Sequence, residues 1–183
     1  ERFGDKRLLI CEVGAGLGAG GLGVALLLKT MGLSAEVHIT DFDPDSVALI
    51  EQCIRSNGLD GGDDRITCYA NVLDWDRVDD YITEHELGKC DLVIGAEIVH
   101  EIEHAQGVFN AVRKLMDPAG QAVIINGAPK HRFGCAEFQE MMHNAPDLDY
   151  SVSEPQPELL VGMESLKEKM LTLQLHLAEW KAV

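Results

Sequence analysis

The chain has 183 residues, of which 15 are Lys or Arg and 31 are Asp or Glu, giving a formal net charge of −16. This length reads as one domain, which at about 70% burial holds a core without disulfide staples. The charge opposes binding to a phosphate backbone, and the longest apolar run, Val13 to Leu28, falls short of the ~20 residues that span a bilayer.

Strand and helix patterns alternate from the start, without an internal repeat. Leu8 to Val13 is a short apolar run that ends in glycines, as a buried parallel strand does. Leu22 to Met31 follows as a helix, and Ala35 to Asp41 as a second strand. The next helix is well punctuated. Asp43 suits its N-cap and Pro44 its first turn, Val47, Ile50 and Ile54 make its buried stripe, and Asn57-Gly58 stops it. Asp60 to Asp64 reads as a loop, Arg65 to Ala70 as a strand, and Val78, Tyr81 and Ile82 as a helix. A strand over Asp91 to Gly95 precedes the helical stripe Ala105, Val108, Phe109, Val112, Leu115 and Met116. Gln121 to Ile125 is the next strand, and Phe138, Met141 and Met142 mark another helix. At the end, Leu171, Leu173, Leu175 and Leu177 alternate with Thr172, Gln174 and His176, which predicts a strand with one polar face, paired with a strand holding Tyr150 and Val152. The class is α/β, with one mostly parallel sheet and helices on both faces.

The cysteines (Cys11, Cys53, Cys68, Cys90, Cys135) are odd in number and lack C-x-x-C spacing. That pattern disfavours a disulfide framework or a cysteine zinc site and fits a reducing compartment, the cytoplasm first and the nucleus second. The sequence begins at Glu1 rather than Met, so an upstream segment is expected to be missing from the single domain over 1–183.

Glu12-Val13-Gly14-Ala15-Gly16-Leu17-Gly18-Ala19-Gly20-Gly21 lies between the first strand and the first helix. In such sheets ligands bind beyond the carboxyl ends of the strands, where glycines admit a close backbone approach and helix N–H groups meet an anion. Gly16-x-Gly18-x-x-Gly21 also satisfies the dinucleotide fingerprint, so the loop alone leaves two cofactors open. Asp41 closes the second strand about 20 residues past Gly18, the spacing at which a carboxylate takes two ribose hydroxyls.

Together these residues resemble a class I S-adenosylmethionine-dependent methyltransferase, whose first motif has an acidic residue two before the first glycine, as in Glu12-x-Gly14-x-Gly16-x-Gly18. Asp74-Trp75 and the run Asp91 to His100 are similar to the eukaryotic seven-β-strand protein-lysine methyltransferases. Leu73-Asp74-Trp75-Asp76, with Met163-Glu164 and Met170-Leu171-Thr172-Leu173, looks most like their elongation-factor members. The likeness runs from residue 7 to about 177. It implies a Rossmann-like seven-stranded sheet with a C-terminal antiparallel strand pair, and S-adenosylmethionine as cofactor. It further implies that Gly14, Gly16 and Gly18 hold the methionine end with Glu12 near its ammonium. Asp41 would bind the ribose, Asp74 the adenine amine, Trp75 the ring, and Ala96 would line the sulfonium side. The family's acidic-x-x-aromatic signature falls on Glu97 to His100. There the carboxylate orients the acceptor amine, although Glu97 stands where Asp is commoner and His100 replaces the usual Tyr or Phe. The family also carries an upstream Trp near the cofactor that has no counterpart before Phe3.

The implied reaction is protein-lysine N-methylation of a soluble protein such as a translation factor, with a basic acceptor region drawn by the acidic surface. Nucleic acid and membrane are not expected partners. Lysine must lose a proton first, since at a pKa of about 10.4 only about one in a thousand is neutral near pH 7.4. His100 as a general base would instead suit a small-molecule N- or O-methyltransferase, and a non-catalytic partner-binding protein is a third reading. His100-Glu101-Ile102-Glu103-His104 spells H-E-x-x-H, but His100 is expected before its helix starts, where the two histidines cannot share a helical face, so no metal is expected. Glu101 and Glu103 read as helix-start charges, His38 and His176 as structural, and His131 as a loop residue at the functional edge.

Overall fold

A computed structural model describes residues 6–63, 65–156 and 173–181. Its elements are β1 (Arg7–Glu12), α1 (Ala19–Thr30), β2 (Ser34–Asp41), α2 (Pro44–Ser56), β3 (Asp60–Asp63) and β4 (Ile66–Val72). A 3-10 turn (Trp75–Arg77) leads into α3 (Val78–Glu84), β5 (Cys90–Ala96), α4 (Ile102–Leu115) and β6 (Met116–Gly127). The chain then runs through α5 (Cys135–Asn144), β7 (Leu148–Ser153) and β8 (Leu173–Trp180). The strands form one sheet in the order β3-β4-β2-β1-β5-β6-β8-β7. Strands β4, β2, β1, β5 and β6 are parallel, while β3, β8 and β7 run antiparallel to their neighbours. The order reverses direction between β2 and β5 at β1, so the carboxyl end of β1 opens on the switch point where such sheets bind ligands.

Alternation in β1 divides the core. Leu8 and Ile10 face one layer with Leu22, Ala25 and Leu28 of α1 and Ile50 and Ile54 of α2. Cys11 faces the other, with α3, α4, Phe138 and Met142. The sheet thus carries helices on both faces, as the alternating pattern predicts. Helix α2 begins as expected. The Asp43 carboxylate accepts the N–H groups of Asp45 and Ser46, and the Ser46 hydroxyl with those donors holds it below the usual carboxylate range. All five cysteines are free thiols, and among the described residues no helix is long and apolar enough to cross a membrane.

Three expectations are corrected. Among the described residues the sheet has eight strands, not seven, because Asp60–Asp63, expected as a loop, pairs antiparallel with the edge of β4. Four residues with two glycines have no side-chain alternation to betray a strand; backbone pairing alone makes it. Met116, expected at the end of the α4 stripe, is the first residue of β6, and it remains buried because it enters the same core. The third correction concerns β8. Leu171 and Thr172 of its alternating run lie outside the described residues, as do Met163, Glu164 and Met170 of the elongation-factor likeness. Within β8 the face expected to be polar is the buried one: His176 is 1% exposed and Leu177 is 40% exposed.

His176 tolerates this because its Nδ1 lies 2.6 Å from the Tyr150 hydroxyl and its ring meets the edge of Phe138 at 5.5 Å. Burial lowers its pKa to about 4. A folded-state pKa below the unfolded value of about 6.5 means that the neutral ring contributes stability above that pH, and that this is lost as pH falls toward 4. Urea unfolding of the wild type should therefore weaken between pH 6.5 and 4. A His176→Gln variant, though less stable at its plateau, should lack this part of the slope.

Candidate functional site

The glycine loop continues β1 directly above the switch point. Gly14, Gly16 and Gly18 all have positive φ, at 65°, 56° and 76°. At Gly14 space matters as much as conformation, since a Cβ would lie 2.7 Å from Ile98 Cγ2 and 3.0 Å from Trp75 Cζ2. Gly18 stands at the N-cap of α1 and has no side chain to cap with. The missing acceptor comes from β1. The Gly21 N–H donates to Glu12 Oε2 at 2.8 Å, and Glu12 is 3% exposed. Burial raises its carboxyl to about 7 despite the N–H groups of Gly21 and Gly20. Glu12 is thus placed behind the loop and is not among the residues lining the pocket.

The pocket beside the loop has a volume of about 400 Å3, within the range of small-molecule sites. Asp41 lies on its wall at the end of β2, where its Oδ2 accepts the Gly16 N–H at 2.7 Å and its Oδ1 the Asp43 N–H at 3.0 Å. Phe42 beside it lines the pocket and is 70% exposed. Across the pocket Asp74 caps the 3-10 turn through the Asp76 N–H at 3.0 Å. Trp75 packs on Gly107 of α4, where a Cβ would sit 3.1 Å from the indole, and meets the His104 ring edge-on at 5.9 Å.

The third wall follows β5. Ala96 ends the strand, is exposed, and stands outside the pocket lining. Glu97 has φ 55°, a conformation that non-glycine residues seldom adopt. It is held there by its N–H to Ile125 O at 2.7 Å, and by Asn126 of β6, whose Oδ1 accepts the N–H groups of Ile98 and Val99. The Glu97 carboxylate lines the pocket and is gripped by Arg132 from the loop after β6: Nη2 and Nε donate to Oε2 at 2.6 and 3.2 Å. The same guanidinium donates through Nη1 to His100 Nδ1 at 2.8 Å. That bond places the imidazole proton on Nε2, so the neutral ring offers a donor there and no lone pair.

His100 precedes α4 while His104 lies within it, with the two rings 6.1 Å apart and nearly perpendicular. Among the described residues no three His, Cys, Asp or Glu side chains stand together as a metal cluster would require. Glu103 occupies the first turn of α4 and also lines the pocket, whereas Glu101 is an N-cap without a side-chain bond. His131 is not on the pocket wall. The structure therefore brings Gly14, Asp41, Asp74, Trp75, Glu97 and His100 together, keeps Gly16 and Gly18 in the adjoining loop, and leaves Glu12 and Ala96 outside the lining. Sequence reasoning missed Phe42, Asn126 and Arg132, and weighed His104 only as a metal ligand. A cation directly after the last parallel strand of an acidic chain was the available signal for Arg132.

A model of the lysine methyltransferase family matches residues 3–145. The chain belongs to that family. Its chemistry is methyl transfer and its cofactor S-adenosylmethionine. Over 119 residues the chain is 29% identical to "Protein-lysine N-methyltransferase EFM2" of Saccharomyces cerevisiae, covering 63% of this chain and 27% of that protein. A second relative, the "Lovastatin diketide synthase mokB" of Monascus pilosus, is 23% identical over 66% of this chain and 4% of its own length. The chain thus spans only a small part of the curated relatives it matches. Among solved structures, the PH0226 protein of Pyrococcus horikoshii OT3 superposes with a TM-score of 0.64 at 15% identity, over 98% of this chain and 85% of that one. Geranyl diphosphate C-methyltransferase of Streptomyces coelicolor A3(2), solved with S-adenosyl-L-homocysteine, gives 0.63 at 12% identity over 97% and 76%. These structural likenesses establish the fold.

The residues present fit the cofactor. The Gly14 cradle admits backbone but no Cβ, the Asp41 carboxylate is held on the pocket wall by two backbone N–H groups, and Trp75 and Phe42 offer apolar faces beside Asp74. Gly14→Ala should weaken S-adenosylmethionine binding about tenfold or more in calorimetry, because the methyl meets Ile98 and Trp75 and the left-handed backbone disfavours it.

Proposed function

We propose that this chain carries the catalytic domain of a protein-lysine N-methyltransferase whose acceptor is a lysine of a soluble protein, such as a translation factor. The observation that carries this reading is Glu97, held at the carboxyl end of β5 in a strained conformation with its carboxylate on the wall of the pocket. Strain of this kind costs on the order of 1–3 kcal/mol and is kept where function requires it.

When bound, S-adenosylmethionine supplies a methyl group on a sulfonium centre to an in-line nucleophile. The protein supplies position, which is where most of the rate of such a displacement arises. The Gly14–Gly18 loop holds the methionine end, and Asp41 takes ribose hydroxyls on lone pairs left free by the Gly16 and Asp43 bonds. Asp74 faces the adenine amine and Trp75 the ring. Ala96, exposed at the end of β5, would line the sulfonium side. Glu12 holds the start of α1 from behind the loop, near the methionine end. Glu97 aligns the acceptor nitrogen, with His100 as a wall of the channel.

The rival reading, a small-molecule N- or O-methyltransferase with His100 as base, is disfavoured by the Arg132 bond to Nδ1, which leaves Nε2 protonated. The −16 charge attracts a basic protein segment and repels a nucleic acid. Free thiols agree with a reducing compartment such as the cytoplasm.

The test incubates the full-length protein with labelled S-adenosylmethionine and a cell proteome, followed by mass spectrometry of the labelled band. A methylated lysine is expected, and Glu97→Ala should abolish the label. Label found only in low-molecular-weight products would overturn the protein-lysine reading, and undiminished labelling by Glu97→Ala would remove the role given to that carboxylate.

A further inference from the structure

The pocket wall carries Asp41, Asp74, Asp76, Glu97 and Glu103, and neither Lys nor Arg among the described lining residues. Such a wall has an electrostatic consequence for a lysine acceptor. Carboxylates stabilise the ammonium, and an ammonium has no lone pair with which to accept a methyl group. The more acidic the site, the more firmly it holds its acceptor in the unreactive form.

Arg132 stands behind this wall and answers it. Its guanidinium places two N–H groups on one oxygen of Glu97, at 2.6 and 3.2 Å, and leaves the other oxygen, Oε1, buried and without a partner. A third N–H goes to His100 Nδ1. The position is built rather than incidental. A Cβ on Gly127 would lie 3.0 Å from Arg132 Cγ, so glycine makes the room. Gly134, in a left-handed conformation at the N-cap of α5, lies so close to the Glu101 backbone that no side chain fits, which draws the loop over β6 and onto the start of α4. From α5, Cys135 faces the same ion pair, yet burial pushes its thiol up to about 11, so it adds no charge at neutral pH. Glu137 lies in the first turn of that helix, and His104 faces the site from α4.

We infer that Arg132 sets the proton state of the acceptor: by neutralising Glu97 it lets the pocket hold a lysine as the uncharged amine. The proton released from the ammonium goes to water, and no side chain has to store it. Arg132 is a positioning residue that acts through Glu97. The inference rests on the lysine reading above.

The experiment follows methylation by the full-length wild type, Arg132→Met and Arg132→Lys. It uses labelled S-adenosylmethionine and the acceptor protein recovered from the labelled band, between about pH 6 and pH 10. Removing the guanidinium should move the rising limb of kcat to higher pH by about one unit, so that kcat near neutrality falls about tenfold. The acceptor KM should stay level or fall, because the bare Glu97 attracts ammonium more strongly. Arg132→Lys, which keeps the charge without the fork, should return the limb toward the wild-type position. An Arg132→Met enzyme with lower kcat but an unmoved limb would reduce Arg132 to a structural part and overturn the inference. A rise in kcat would overturn it too, showing that the guanidinium obstructs the acceptor. Should Arg132→Met not fold, Arg132→Gln carries the same readout. If the wild type labels no lysine at any pH, the functional reading falls and this inference with it; a labelled lysine with an unmoved limb overturns this inference alone.

Discussion

The Glu12 carboxylate accepts the Gly21 N–H inside the protein, between the end of β1 and the first turn of α1, and the path of the glycine loop follows from that bond. A helix N-terminus leaves donors without partners, and the residue that would ordinarily cap α1 is Gly18, which has nothing to cap with. Taking the acceptor from the strand before the loop lets every turn of the loop be glycine. The bare backbone can then come against Ile98 and Trp75 at Gly14 and reach Asp41 through the Gly16 N–H. One buried carboxylate thereby ties the end of β1 to the first turn of α1. The cost shows in its pKa, raised to about 7 by burial and only partly offset by the two N–H groups.

The opposite side of the pocket is held by different means. Glu97 sits in a left-handed conformation that only surrounding contacts maintain, and Asn126 supplies them by accepting two successive N–H groups through one side-chain oxygen. Because Asn126 belongs to the neighbouring strand β6, the shape of this turn depends on sheet pairing between β5 and β6 and not on the local residues alone. The same strand delivers the loop that carries Arg132. Glu97 is thus positioned from β6 twice, once through its backbone and once through its carboxylate.

The elements near the loop were largely legible in the sequence. The glycine spacing, Asp41 at its distance, the Asp43 cap and the stripe of α2 all rest on residues close together in the chain, where spacing translates directly into geometry. Asp74 and Trp75 were placed through a family likeness and do stand on the pocket wall. The failures have a common origin. Strand β3 has no side-chain pattern, only backbone pairing with β4. The buried face of β8 was misjudged because Leu177 and His176 exchange their ordinary places once Tyr150 and Phe138 surround the imidazole.

By itself the amino-acid order determined the α/β class, the succession of strands and helices, and the placing of Gly14, Asp41, Asp74 and Glu97 at the carboxyl ends of strands. Periodicity, caps and glycine spacing are local properties, so they survive without knowledge of any partner. Tertiary structure alone decided which of those carboxylates face the pocket and which cation meets them. Arg132 and Glu97 are 35 residues apart and reach 2.6 Å only because β5 and β6 pair side by side and Gly134 draws the intervening loop back across their ends. Charge neutralisation falls steeply with distance, and distance between remote residues is settled by packing, not by sequence.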